Sequence, residues 1–278
     1  MKTQSEIAEL LSPRAYSEND LAAWEETLWN EGCLVIENAL SPEAVAYFRE
    51  RVLEVQSELG EGKNGFTLIG KGMDFMDFAL HEPVHSLTKR ILGLDMQLWL
   101  FIVHAMRREK TISGWHADDL YLLRPDGVSD DVPFPPIINV INCHYYLQDT
   151  PQELGPTEVV PFSHRACRQP DKERDGSPPI WRGHEPVSFT VKAGDCVVYS
   201  NHCWHRGAPI TCEDTRYSIV AYYCRRFIQQ RWIQEKDHGL TEELLEQCNE
   251  AQRALLGHHS NPPWVRPTPL NIRWTDNH

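Results

Sequence analysis

The sequence predicts a mainly β fold, a closed or double-sheet β structure with helices packed on its outside. Two observations carry this expectation. Short runs rich in β-branched and aromatic residues recur at 97–106, 137–147, 158–161, 187–191, 196–200 and 217–223, separated by turn formers such as Pro125-Asp126-Gly127 and Ala193-Gly194-Asp195. Helix-periodic segments precede and follow these runs, the pattern of a β core with a helical layer against it.

Taken in order, residues 19–29 read as a helix and Cys33-Leu34-Val35-Ile36 as a short strand. Ser41 and Pro42 open a second helix as N-cap and first-turn residue, and Val45, Phe48, Val52, Val55 and Leu59 form its apolar face. The glycine-rich segment from Gly60 to Gly72, with Lys63, Asn64 and Lys71, resists regular structure and reads as a surface loop, a candidate lid. A helix at 84–92 leads into the β region. Thr241 caps a last helix with Leu244, Cys248, Ala251 and Leu255 on one face and Gly257 at its end. Beyond His258 the prolines Pro262, Pro263, Pro267 and Pro269 make an extended tail, able to wrap its own barrel or a second copy in a homo-oligomer. A single domain over 1–278 is expected, with a helical layer over about 1–95, a β core over about 96–227 and a helix and tail over about 228–278.

The bulk numbers exclude several classes of function. A formal net charge of −13 repels phosphate backbones and anionic lipid, so no general nucleic-acid or membrane-surface partner is expected, although a local basic pocket can still take an anion. The first residues lack the apolar core of a signal peptide, and no apolar run reaches membrane-spanning length. The eight cysteines are scattered without a CxxC pair, which fits neither a zinc ribbon nor a secreted disulfide framework. A reducing cytoplasm is the expected location.

One segment carries metal chemistry. In Gly114-Trp115-His116-Ala117-Asp118, the histidine and aspartate stand two apart, and in a strand that spacing puts both side chains on one face. A third ligand from distant sequence would complete a two-histidine, one-carboxylate set that leaves coordination positions open, unlike the closed sites zinc prefers. Downstream, the turn and strand of Gly194-Asp195-Cys196-Val197-Val198-Tyr199 lead to Trp204-His205-Arg206-Gly207 and then to Arg216-Tyr217-Ser218.

This order resembles the phytanoyl-CoA dioxygenase-like family of iron(II)/2-oxoglutarate oxygenases. Leu154-Gly155-Pro156-Thr157-Glu158-Val159-Val160-Pro161-Phe162-Ser163-His164-Arg165 looks like its "NGP…PGSH" segment, and Gly32 to Leu40 followed by Ser41-Pro42-Glu43 looks like its opening. The resemblance spans roughly 21–227. Leu154 stands in place of the usual Asn and Phe162 in place of the usual Gly, both in turns.

The resemblance implies a double-stranded β-helix (jelly-roll, cupin-like) core. It also implies iron(II) held by His116, Asp118 and His205, with 2-oxoglutarate and dioxygen as co-substrates. Arg216, eleven residues after His205, takes the place of the family's anchor for the distal carboxylate, a role suited to a fork of permanently charged donors. Ser218 shares its strand face and adds a hydroxyl; His144 and His104 are candidates beside the co-substrate. His202 competes with His205, which is preferred because Gly207 follows it by two places. Asp119 is read as a carboxylate outside the ligand set, Trp115 as a packing residue and His164 as a turn cap.

The implied activity is oxidation, hydroxylation foremost, of a C–H bond in a small organic substrate, with release of succinate and carbon dioxide and a place in secondary metabolism. Desaturation, ring formation and epoxidation stay open. Asp118 argues against a halogenase, where a small residue leaves room for chloride. Substrate-lining candidates are the 60–72 segment, Phe75, Trp99, Tyr121 and the 225–231 region, a mix suited to a medium-sized molecule. The alternatives are a non-catalytic jelly-roll binding protein and a cupin-type metalloenzyme that does not use 2-oxoglutarate.

Overall fold

The computed structural model describes residues 2–12, 15–59, 65–108, 114–118, 137–171, 177–232 and 239–260. The chain begins with helices α1 (Gln4–Leu10) and α2 (Glu18–Asn30), each started by a capping box, Thr3 with Glu6 and Ser17 with Asp20. Strand β1 (Cys33–Ile36) follows, then α3 (Pro42–Leu59), whose Ser41 hydroxyl accepts from the Ala44 amide and whose buried face carries Val45, Phe48, Val52 and Val55. Next come β2 (Gly65–Thr67), α4 (Met73–Phe78) and α5 (Val84–Leu92). The β region holds β3 (Gln97–Met106), β4 (Val140–Tyr146), β5 (Thr157–Val159), β6 (Val187–Ser188), β7 (Cys196–Ser200), β8 (His205–Gly207) and β9 (Arg216–Cys224). Helices α6 (Glu242–Gln247) and α7 (Glu250–Leu255) follow it. Among the described residues no helix is long and apolar enough to cross a membrane.

The strands form two antiparallel sheets, one of six strands ordered β1-β7-β4-β9-β3-β2 and one of three ordered β6-β5-β8. The mainly β, jelly-roll expectation holds in its double-sheet form; the sheets do not close. Because side chains alternate along a strand, the register sorts the large sheet into two chemically distinct faces. Phe101, Tyr145 and Tyr223 face the helices: Phe78 packs on Phe101, Tyr145 and Phe48, and the Tyr223 hydroxyl donates to the carbonyl of Ala79. The opposite face carries His104, Asn142, His144, Tyr199, Arg216, Ser218 and Tyr222, a concentration of buried polar groups that an ordinary core does not hold.

Several elements differ from the sequence reading. The 60–72 segment is not a loop throughout, because β2 lies within it and takes its hydrogen bonds from β3; residues 60–64 lie outside the described residues. With β1, it brings two strands from the helical layer into the large sheet. The single C-terminal helix is two. Cys248 is extended, and Asn249 starts a fresh capping box with Gln252 that the continuous apolar stripe conceals. Helices α1 and α4 and strand β8 were not anticipated, and the proline tail beyond Ser260 lies outside the described residues. All eight cysteines are free thiols, as expected.

One turn aligns the small sheet with the rest. Gly155 sits at φ 66°, and a Cβ there would collide with the carbonyl oxygen of Ala208, whose amide donates to Pro156 at 2.8 Å. Left-handed strain and overpacking together cost about 2–4 kcal/mol. Gly155→Ala is therefore expected to lower the urea-unfolding free energy by that amount; an unchanged midpoint would contradict the close approach.

Candidate metal centre

His116 and Asp118 do not lie in a strand, contrary to the sequence expectation. His116 makes an isolated bridge with His205, with amide-to-carbonyl bonds of 3.1 and 2.8 Å in the two directions, and the Asp118 amide donates to Asn201 at 3.2 Å. The segment is thus pinned to the turn between β7 and β8, and the local bend brings its two side chains together. His116 Nε2 lies 3.3 Å from Asp118 Oδ1, and His205 Nε2 lies 3.6 Å from Asp118 Oδ2. All three residues offer a ligand atom within 4.8 Å of the others.

Backbone carbonyls orient both rings. His116 Nδ1 donates to Gly114 and His205 Nδ1 to Cys203, each at 2.8 Å, which places the proton on Nδ1 and turns the Nε2 lone pair toward the shared space. Burial pushes the Asp118 carboxyl up, but His205, His116 and the Asn142 amide outweigh it and hold it well below the usual carboxylate range. Burial pulls His205 down to about 4 against the opposing pull of Asp118. Burial also pulls on His116, but its contact with Asp118 wins and raises it. One carboxylate and two oriented imidazoles are a donor set that fits a divalent transition metal with positions to spare. The structure groups His205, not His202, with the HxD pair; His202 is buried, and its field falls on His164.

Beside this cluster is a small cavity of about 60 Å³, lined in part by His104, His144, Thr157, Tyr199 and Arg216. Arg216 opens β9 opposite Met106 and is only 5% exposed, yet its Nε and Nη1 have no hydrogen-bond partner. Ser218, opposite His104, likewise has an unsatisfied hydroxyl. Unpaired donors of a buried cation are costly, and the arrangement is complementary to a carboxylate that would accept from them. Burial lowers His104 to about 4, with Arg216 adding to the effect. His144 is driven well below its usual value by burial, His104 and Arg216, and its Nε2 meets the Tyr199 hydroxyl at 3.0 Å. Both imidazoles are therefore neutral, leaving Arg216 as the cation of this wall.

Some contributors escaped the sequence reading. Asn142 is fully buried, and its Nδ2 donates to Asp118 Oδ2 at 3.4 Å; its position two before His144 was the available signal. Arg206 bonds Glu158 at 2.7 Å and lies 4.7 Å over the ring of Trp115, which packs as expected. The His164 ring meets the carbonyl of Trp29 at 3.3 Å rather than closing its own turn. Phe162 holds the left-handed conformation (φ 64°) that suits a glycine.

The substrate-lining candidates divide. Phe75 belongs to the helix-facing core, against Phe48. Arg225 is structural, its guanidinium donating to the carbonyls of Ile138, Ile91 and Leu92. Arg231 reaches a second cavity of about 350 Å³ that shares His104, Asp118 and Tyr222 with the first. Asp119 and Tyr121 lie outside the described residues.

Two antiparallel sheets carrying a two-histidine, one-carboxylate cluster beside a buried arginine define the class as a jelly-roll protein with a candidate metal centre. Residues 29–218 match the family Phytanoyl-CoA dioxygenase (PhyH), and the chain belongs to that family. No curated protein matches the chain in sequence. Solved structures do match its fold. HygX from Streptomyces hygroscopicus, with nickel and 2-oxoglutarate bound, is 18% identical at a TM-score of 0.61, covering 78% of this chain and 90% of its own. The epimerase SnoN, in complex with Fe3+, alpha ketoglutarate and nogalamycin RO, is 16% identical at 0.58, covering 76% and 85%. The carbocyclase SnoK from nogalamycin biosynthesis is 17% identical at 0.54, covering 76% and 85%.

A buried cation without partners weakens the fold that holds it. Arg216→Met is expected to raise the unfolding free energy of the metal-free protein by about 1–3 kcal/mol. Urea titration checks this, and a destabilised variant would show that the guanidinium serves the fold.

Proposed function

We propose that the protein is an iron(II)- and 2-oxoglutarate-dependent oxygenase that hydroxylates a C–H bond of a small organic molecule. In this reading His116, Asp118 and His205 are the iron ligands, and the chain acts as a single oxygenase domain. The observation that carries it is the pair of unpartnered donors on buried Arg216, in the same cavity as the three candidate ligands. A cupin-type enzyme that made no use of a carboxylate co-substrate would have no reason to bury a free guanidinium there. A binding protein without turnover would have no use for the open metal face.

A bound iron would supply the oxidative chemistry with dioxygen as the oxidant: one oxygen atom would leave in succinate as 2-oxoglutarate loses carbon dioxide, and the other would enter the substrate C–H bond as a hydroxyl. The chain's own residues position and exclude. Arg216 fixes the distal carboxylate through two charge-assisted hydrogen bonds and Ser218 adds a third donor. His104 and His144 keep the walls neutral and exclude water. Asn142 orients Asp118 from behind, and Tyr199 does the same for His144. The carboxylate of Asp118 keeps the ligand set of an oxygenase rather than that of a halogenase. A place in natural-product biosynthesis is supported by the likeness to SnoN and SnoK.

Anaerobic addition of iron(II) and 2-oxoglutarate is expected to give a visible charge-transfer band. Arg216→Ala should require more than about tenfold more 2-oxoglutarate, since each bond to a charged group contributes ~1.5–3 kcal/mol, and His205→Ala should abolish the band. Absence of the band in the wild type, together with no succinate on admission of oxygen, would refute the assignment.

A further inference from the structure

The 350 Å³ cavity runs along the inner wall of the large sheet, past Phe66, Thr67, Leu100 and Ile102, from Asp118 and His104 to Arg231. Strand β3 provides the scale. Arg216 faces its Met106 end. At the other end, the Arg231 amide donates to the Trp99 carbonyl at 2.9 Å, and its guanidinium lies 5.5 Å over the Trp99 ring. Trp99 in turn meets Tyr222 edge-on at 5.8 Å. Between His104 and Leu100 the strand advances about 13 Å. Asp118 of the candidate metal cluster thus lines both cavities, the smaller with Arg216 and the larger with Arg231.

These two cations differ in kind. Arg216 is buried in the small cavity, whereas Arg231 is exposed at the far end of the larger one, and no ion pair joins it to a described residue. The contact with the Trp99 ring holds the guanidinium at the cavity's end, and no described residue takes its N–H donors, which can bond an oxyanion. Leu100 and Ile102 give the space between an apolar lining, on which no charged group of a ligand could be satisfied. The cavity lies at the small end of the range for ligand sites and presents one arginine among its lining, which suits one compact anion rather than a polyphosphate.

We propose that the substrate carries an oxyanion, carboxylate or phosphate, bound by Arg231, with an apolar body lying along Leu100 and Ile102 toward Asp118. This rests on the oxygenase reading only in taking the Asp118 end of the cavity as the reacting end. Arg231 thereby determines specificity, selecting acids over their neutral analogues and setting which carbon reaches the metal cluster.

Titration calorimetry tests this with phenylalkyl carboxylates of graded length, their neutral amides and the matching phosphate esters. It is run on protein loaded with nickel(II) and saturating 2-oxoglutarate, and again on metal-free Arg216→Gln. In both, an oxyanion of the best-fitting length is expected to bind about tenfold or more tighter than its amide. Arg231→Gln should erase the preference while leaving amide affinity unchanged, and Arg231→Lys should keep part of it. Whether carboxylate or phosphate binds tighter identifies the oxyanion. No preference at any length overturns the proposal, as does a preference that survives Arg231→Gln. The metal-free arm needs neither metal nor co-substrate, so failure of the oxygenase reading would show only in the loaded arm.

Discussion

Strand β9 is hydrogen-bonded on both sides, to β3 and to β4, and its two-residue period decides what the inner wall contains. Arg216, Ser218, Val220 and Tyr222 fall on that wall, while Ile219, Ala221 and Tyr223 fall on the helix-facing side. A slip of one residue would send the guanidinium into the Phe48 and Phe78 core and turn Tyr223 inward. The aromatic packing of the helices against Tyr145, Tyr223 and Phe101 therefore does more than stabilise the sheet. By fixing the register, it aims the polar wall at the cluster of His116, Asp118 and His205.

That wall holds opposite charges without neutralising them. Asp118 is kept anionic by the histidines and Asn142, and Arg216 is kept without a partner, while His104 and His144 between them are forced neutral by burial. Such an arrangement is poor for stability, because each buried charge is desolvated and incompletely compensated. It is well suited to binding, because a metal cation would satisfy the carboxylate and a carboxylate ligand would satisfy the arginine. The destabilised groups are those the proposed function would employ.

Legibility in the sequence followed the length of the physical signal. Strands β3 and β7 and helix α5 were readable to the residue, because long apolar runs or a strong helical face define them. The edge strand β2 is three residues long and shows no period of its own; β3 supplies its hydrogen bonds. The break between α6 and α7 was present as the capping-box spacing of Asn249 to Gln252, but the apolar stripe across it pointed the other way. For the site, the order of His116, Asp118, His205 and Arg216 was visible, whereas their convergence was not, since it depends on a bridge between segments far apart in sequence. Arg225 and Arg231 look alike in composition. Only the carbonyls around Arg225 and the open cavity beside Arg231 separate a structural residue from a candidate binding residue.

In the proposed site, His116 and Asp118 from the 114–118 segment, His205 from β8 and Arg216 from β9 form one place for a metal and a carboxylate. An anaerobic crystal structure of the protein with iron(II) and 2-oxoglutarate tests it most directly. Iron is expected to bond to Nε2 of His116, Nε2 of His205 and a carboxylate oxygen of Asp118, with the distal carboxylate paired to Arg216. Iron held by His202, or a 2-oxoglutarate whose distal carboxylate lies away from Arg216, would contradict it.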